Sequence, residues 1–220
     1  MSKLQPSSPL LIMVYGYPGS GKSFFARELT NHVQAAHIQD DRIRAELFDK
    51  PNYSKQENQF VSQFMNYMTE EFLNAGVTVV YDTNATTEAR RRQIMKLAKK
   101  VGAQTLIVWL QIDMDSAFFR AHNRDKRKTD DKYAKPIDRT TFEEVIKRME
   151  NPSRNEDYMV VSGKHTFLSQ KNAVVRKLHD LRLLSAHDLT NNVSKPQLVN
   201  LVPNNIPGRV DLSRRNINIR

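Results

Sequence analysis

Gly16-Tyr17-Pro18-Gly19-Ser20-Gly21-Lys22-Ser23 follows directly on the apolar run Leu10-Leu11-Ile12-Met13-Val14-Tyr15. The octapeptide fits G-x-x-x-x-G-K-[ST], a phosphate-binding loop, and the apolar run supplies the strand that must precede it. Glycine lets such a loop curl until its N–H groups point inward at phosphate oxygens, and the helix that follows turns its positive end to the same anion. Gly16, Pro18, Gly19, Ser20, Gly21, Lys22, Ser23 and Phe24 are therefore the expected nucleotide-binding residues. Lys22 would reach the β- and γ-phosphates, and Ser23 would offer its hydroxyl to Mg²⁺. By composition the four fixed positions match by chance in about one chain in a hundred of this length. The strand in front of them sets the chance reading aside.

Working outward, apolar runs of strand length at 36–39, 77–81, 106–112 and 159–161 alternate with segments of helical period. Helices are expected at 23–33, 41–48, 54–74, after Asn84, from Met114, at 138–149 and at 166–181. Ser54 and Glu57 have capping-box spacing, and Gly76 closes the helix they open. Its Phe60, Phe64, Tyr67, Met68 and Phe72 form a stripe that reads as core. Alternation of this kind defines an α/β fold, a parallel sheet flanked by helices as in phosphate-loop NTPases of the nucleotide-kinase type. Ligands in such sheets bind beyond the carboxyl ends of the strands, where the loop, Asp40/Asp41 and Asp82 all fall. Residues 1–185 read as the kinase-type domain, with a helical lid at about 115–140. Residues 186–220 read as a basic, irregular extension.

The chain has 220 residues, 39% of them hydrophobic, which is enough for one α/β domain with additional length. It has no cysteine, which excludes disulfides and thiolate metal sites. No apolar run approaches the length of a membrane span, and Leu10 to Tyr15 is too short for a signal segment. A cytoplasmic location without membrane attachment is expected. The net charge is +10, and over residues 171–220 nine basic side chains meet three acidic ones. That end suits a polyanionic partner or a solubilising tail, and charge alone leaves both open.

Transfer of a phosphoryl group to a hydroxyl needs a carboxylate near the nucleophile and cations around the γ-phosphate. Asp41 and Arg44 lie three apart at a helix start, so both can face one cleft, although a capping Asp beside a solvated Arg has the same pattern. Arg120 and Arg124 are four apart on an expected helix and precede a charged stretch, as the cations of a lid would. Asp82 stands where the acid of a Walker B strand would, able to hold Mg²⁺ through water or to orient an acceptor. The six histidines have no metal-ligand spacing.

From Leu10 to Met149 the chain resembles the phosphate-loop kinases that include the 5′-hydroxyl polynucleotide kinases of phage type, and related small kinases of the zeta-toxin kind. The resemblance rests on an ordered series: GYPGSGKS, Asp41-x-x-Arg44, Asp82-Thr83-Asn84 with Arg90 and Arg91 beyond, Arg120-x-x-x-Arg124, and Pro136-Ile137-Asp138. It implies that Asp41 is the general base, that Arg44 contacts an acceptor phosphate, and that Arg120 and Arg124 belong to a lid. Catalysis would then fall to Asp41, Lys22, Arg124 and Arg120, acceptor binding to Arg44, Asp82 and Asn84, and Mg²⁺ to Ser23 and Asp82. The family's Asn-Arg-Asp-Asp is here Gln39-Asp40-Asp41-Arg42, so the choice between Asp40 and Asp41 rests on spacing to Arg44. The segment 150–156 resembles a Pro-plus-Glu segment of related kinases, and no D-x-D-x-T phosphatase signature follows.

The function implied is an ATP- and Mg²⁺-dependent kinase acting on the 5′-hydroxyl end of DNA or RNA. A kinase for a nucleoside, sugar or antibiotic is the alternative, and a nucleotide-dependent switch without transfer is a third. Aromatic residues for base stacking are missing from 180–220, which counts against a nucleic-acid role for that end.

Overall fold

In the computed structural model, described here over residues 3–84, 86–125, 127 and 132–193, five parallel strands form one sheet. The strands are β1 (Leu10–Tyr15), β2 (Ala35–Gln39), β3 (Thr78–Asp82), β4 (Gln104–Gln111) and β5 (Tyr158–Ser162). Their spatial order is β2-β3-β1-β4-β5. Every residue of β1 and β3 is buried, because helices cover both faces. The helices are α1 (Lys22–His32), α2 (Asp40–Leu47), α3 (Lys55–Asn74), α4 (Glu88–Lys100), α5 (Met114–His122), α6 (Arg139–Lys147), α7 (Phe167–Asp180) and α8 (Ala186–Asn192).

Alternation along the strands builds two apolar layers. Leu10, Ile12 and Val14 face α1 and α7, whereas Leu11, Met13 and Tyr15 face α3 and α4. A third, small cluster (Ala117, Ala121 and Phe142) joins α5 to α6 near Tyr17 of the loop. The expected strands, and the helices α1, α2, α3, α6 and α7, form within about two residues of their predicted bounds, whereas α4 starts only at Glu88 and α5 ends at His122, short of the Arg124 it was expected to carry.

The α3 stripe is a correction. Phe60, Phe64 and Tyr67 are 51%, 37% and 62% exposed, while Val61, Met65, Thr69 and Leu73 are buried beneath the helix. Both rows have helical period, so periodicity alone did not choose between them. The buried row faces β2 and β3, and the aromatic row is displaced sideways from it. Met68 and Phe72 lie between and are half-buried.

α8 was also not foreseen. Ser185 caps it by accepting from the amide of Asp188, whose carboxylate accepts from the Ser185 amide, a complete capping box. The first residues of the expected irregular extension are thus helical and pack on α7. The remainder of that extension, and the lid positions 126 and 128–131, lie outside the described residues.

Candidate active site

Register brings the site together. Val14 of β1 and Gln39 of β2 both lie alongside Asp82 of β3, so Gly16, Asp40 and Asp82 emerge at one edge of the sheet. Pro18, Gly19, Gly21, Lys22, Ser23, Phe24, Asp40, Asp41, Asp82, Thr83, Asn84, Phe119, Arg120 and Arg124 line one cleft of about 320 Å³ there. The sequence-predicted residues therefore converge, apart from Gly16, Ser20 and Arg44, which sit just behind its wall.

Two glycines show why the loop needs them. Gly19 has φ 80°, and a Cβ there would lie 2.1 Å from the Ala117 carbonyl oxygen of α5. Gly21, at φ 94°, is the N-cap of α1 and turns the chain from loop into helix. Lys22 donates from Nζ to the carbonyls of Gly16 (3.0 Å) and Tyr17 (2.9 Å), and burial lowers its pKa to about 8. Ser23 lies in the first turn of α1, and Phe24 packs edge-on against Phe167.

The adjacent aspartates are held differently. Asp40 Oδ1 accepts from the amide of Asp41 (2.7 Å) and Oδ2 from the Thr83 hydroxyl (2.8 Å). Burial, reinforced by Asp41 and Asp82, pushes its carboxyl up to about 7. No described residue hydrogen-bonds the Asp41 carboxylate, and it stays directed at the cleft. Burial raises its pKa as well, while Arg124, Arg44 and Lys22 pull it back. Asp82 is 3% exposed, with Oδ2 at 3.3 Å from Nε2 of His37.

Arg44 is more deeply engaged than its spacing foretold. It is 6% exposed, donates to Glu57 and to Asn58 Oδ1, and stacks 4.5 Å from the Tyr53 ring centre. Its Nε is buried without a partner. Arg120, in the last turn of α5, donates to the Gly163 carbonyl (3.1 Å). Arg124 lies just past that helix rather than on it, because Asn123 caps α5. Both still line the cleft.

Sequence reasoning missed the clamp behind the site. Arg91, fully buried, makes a two-pronged ion pair with Glu156 (both contacts 2.8 Å) and donates to the Glu150 carbonyl (2.8 Å). Glu150 in turn accepts from the amide of Glu88 (2.6 Å) and donates its own amide to Thr86 (2.8 Å). Segment 150–156 thus fastens the start of α4, and with it the chain that leaves Asp82. Arg91 and Glu156 were both within quoted motifs, but only the fold pairs them. Among the described residues no group of three or more His, Asp or Glu side chains could hold a metal ion alone.

An AAA domain family model (AAA_33) matches residues 11–152, and the chain belongs to that family. L-seryl-tRNA(Sec) kinase of Methanococcus maripaludis is 22% identical over 108 residues, 48% of this chain and 42% of its own. The chain thus spans less than half the length of that relative. A putative kinase from Chloroflexus aurantiacus superposes with a TM-score of 0.63 at 17% identity, covering 81% of this chain and 100% of that one. Kti12 of Chaetomium thermophilum, solved with ADP-AlF₃, superposes with a TM-score of 0.59 at 18% identity, covering 80% and 99%. The fold is that of the small phosphate-loop kinases.

Proposed function

We propose that the protein transfers the γ-phosphoryl group of ATP to a hydroxyl, and that the acceptor is the 5′-hydroxyl end of a nucleic acid strand. The observation that carries transfer rather than simple nucleotide binding is Asp41. Its carboxylate is half-buried, accepts no hydrogen bond from any described residue, and shares the cleft with Lys22 and Arg124. Asp40 beside it is occupied by Thr83 and a backbone amide, so it positions rather than reacts.

In this reading loop amides and Lys22 hold the β- and γ-phosphates, and Arg120 and Arg124 face the charge that spreads over the transferred group. Asp41 accepts the acceptor's hydroxyl proton as its oxygen approaches phosphorus. Ser23 and Asp82 offer the hard oxygen donors that Mg²⁺ prefers, and a site with so few protein ligands suits an ion completed by nucleotide phosphates and water. Mg²⁺ supplies charge neutralisation on the phosphates when bound.

A tRNA-linked hydroxyl acceptor in the curated relative's name supports the nucleic-acid reading. A small-molecule acceptor is favoured by a different observation, the limited volume of about 340 Å³ behind Asp40. Incubation with γ-labelled ATP, Mg²⁺, a 5′-hydroxyl oligonucleotide and a panel of nucleosides and sugars separates them. Label on the oligonucleotide is expected, and Asp41→Asn should reduce it about 10²–10⁴-fold with ATP affinity near normal. Label only on a small molecule would discard the nucleic-acid acceptor, and turnover within a few-fold in the variant would discard Asp41 as the base.

A further inference from the structure

Among the described residues three carboxylates line the nucleotide cleft, and their surroundings treat them differently. Asp40 has both oxygens engaged, one by the Thr83 hydroxyl and one by the Asp41 amide. Asp41 accepts no hydrogen bond from any described residue. Asp82 stands between these cases. Its Oδ2 lies 3.3 Å from Nε2 of His37, and among the described residues no other group hydrogen-bonds it.

Strand register makes that contact. His37 of β2 pairs with Val80 of β3, two residues before Asp82, so imidazole and carboxylate share the face of the sheet that α1 covers. The side chains of His37 and Asp82 are 15% and 4% exposed. An ionised carboxylate can only accept, so Nε2 of His37 carries the proton and donates. The final torsion of an aspartate is broad and nearly two-fold, so a donor on one oxygen also fixes where the other lies. His37 does not itself line the cleft and reaches the site only through Asp82.

We propose that His37 is a positioning residue for the divalent cation: it anchors Oδ2 of Asp82 and thereby keeps the remaining oxygen for Mg²⁺ on the nucleotide phosphates. This rests on the kinase reading above, in which Ser23 and Asp82 are the protein's oxygen donors to that ion. Carboxylates that ligate metals are themselves held by hydrogen bonds, and loss of such a partner weakens metal affinity about 10–100-fold. Asp40 would have to give up Thr83 or the backbone amide to serve instead, and Asp41 is kept for the acceptor hydroxyl. The histidine thus enters metal binding without being a ligand.

The test is binding of a non-hydrolysable ATP analogue, measured by calorimetry once with Mg²⁺ and once with EDTA. The ratio of the two affinities is the gain due to the metal. His37→Leu should reduce that gain about tenfold and leave the affinity in EDTA within about twofold. His37→Gln, which keeps an N–H donor, should restore most of the gain. In an Asp82→Asn background His37→Leu should have no further effect, because it acts only through that carboxylate. An unchanged gain in His37→Leu would overturn the proposal, as would a wild type that gains nothing from Mg²⁺. Equal losses with Mg²⁺ and with EDTA, or a full effect in the Asp82→Asn background, would make His37 structural and overturn it too. No acceptor is needed, so a protein that binds nucleotide with Mg²⁺ but labels no hydroxyl fails the transfer reading while His37 is still decided.

Discussion

Asp40 and Asp41 are neighbours in sequence with opposite fates, and the difference lies in what meets each side chain. Asp40 turns towards Thr83 and is held neutral until about pH 7, against an ordinary value of 3.8. A carboxyl whose folded pKa is raised contributes stability at low pH, and that contribution is lost as pH rises towards the folded value. The melting temperature of the ligand-free protein should therefore fall as pH rises from about 4 to 7, and Asp40→Asn should flatten part of that fall. Asp41, raised by burial too, contributes with the same sign. A thermal-denaturation series in which wild type and variant keep the same slope would contradict the placement of Asp40. The chemistry of this pair was legible in the sequence as two acids at a helix start. Which one was free was not, because Thr83 reaches Asp40 only across β2 and β3.

Elements show the same division. Loop, strands and most helices follow from local pattern, since Gly21, Ser54, Thr87, Asp113 and Asp138 each stand at a helix start. Four of these five accept from a backbone amide three residues on (Gly21 has no side chain). The face of α3 was not legible, and substitution separates its two rows. Met65→Ala should cost about 2–4 kcal/mol, measured by urea denaturation, whereas Phe64→Ser should cost under about 1 kcal/mol. A large cost at Phe64 would mean that the exposed row is covered in solution. Behind the site, Glu156→Gln leaves the Arg91 guanidinium buried with half its partner. A loss of about 3 kcal/mol is expected, read from the same denaturation curves, and a neutral result would show that the clamp is not a source of stability.

At the scale of the whole molecule, a net charge of +10 is compatible with an anionic partner or with a solubilising role, and the salt dependence of binding separates the two. Binding of a 5′-hydroxyl oligonucleotide should weaken with salt at a log–log slope of about −2, as for three phosphate contacts on a single strand. A slope near zero in a fluorescence titration would favour the small-molecule acceptor. No described helix is long and apolar enough to cross a membrane. The sequence by itself determined the loop, the order of strands and helices, and the residue types gathered at the strand ends. Those features depend on neighbours within a few positions and on hydrophobic period, which the chain carries locally. Only the tertiary structure decided that Arg44 is neutralised by Glu57 and Arg91 by Glu156. The physical reason is that ion pairing is set by which side chains packing brings within 4 Å, across separations of 13 residues in one case and 65 in the other.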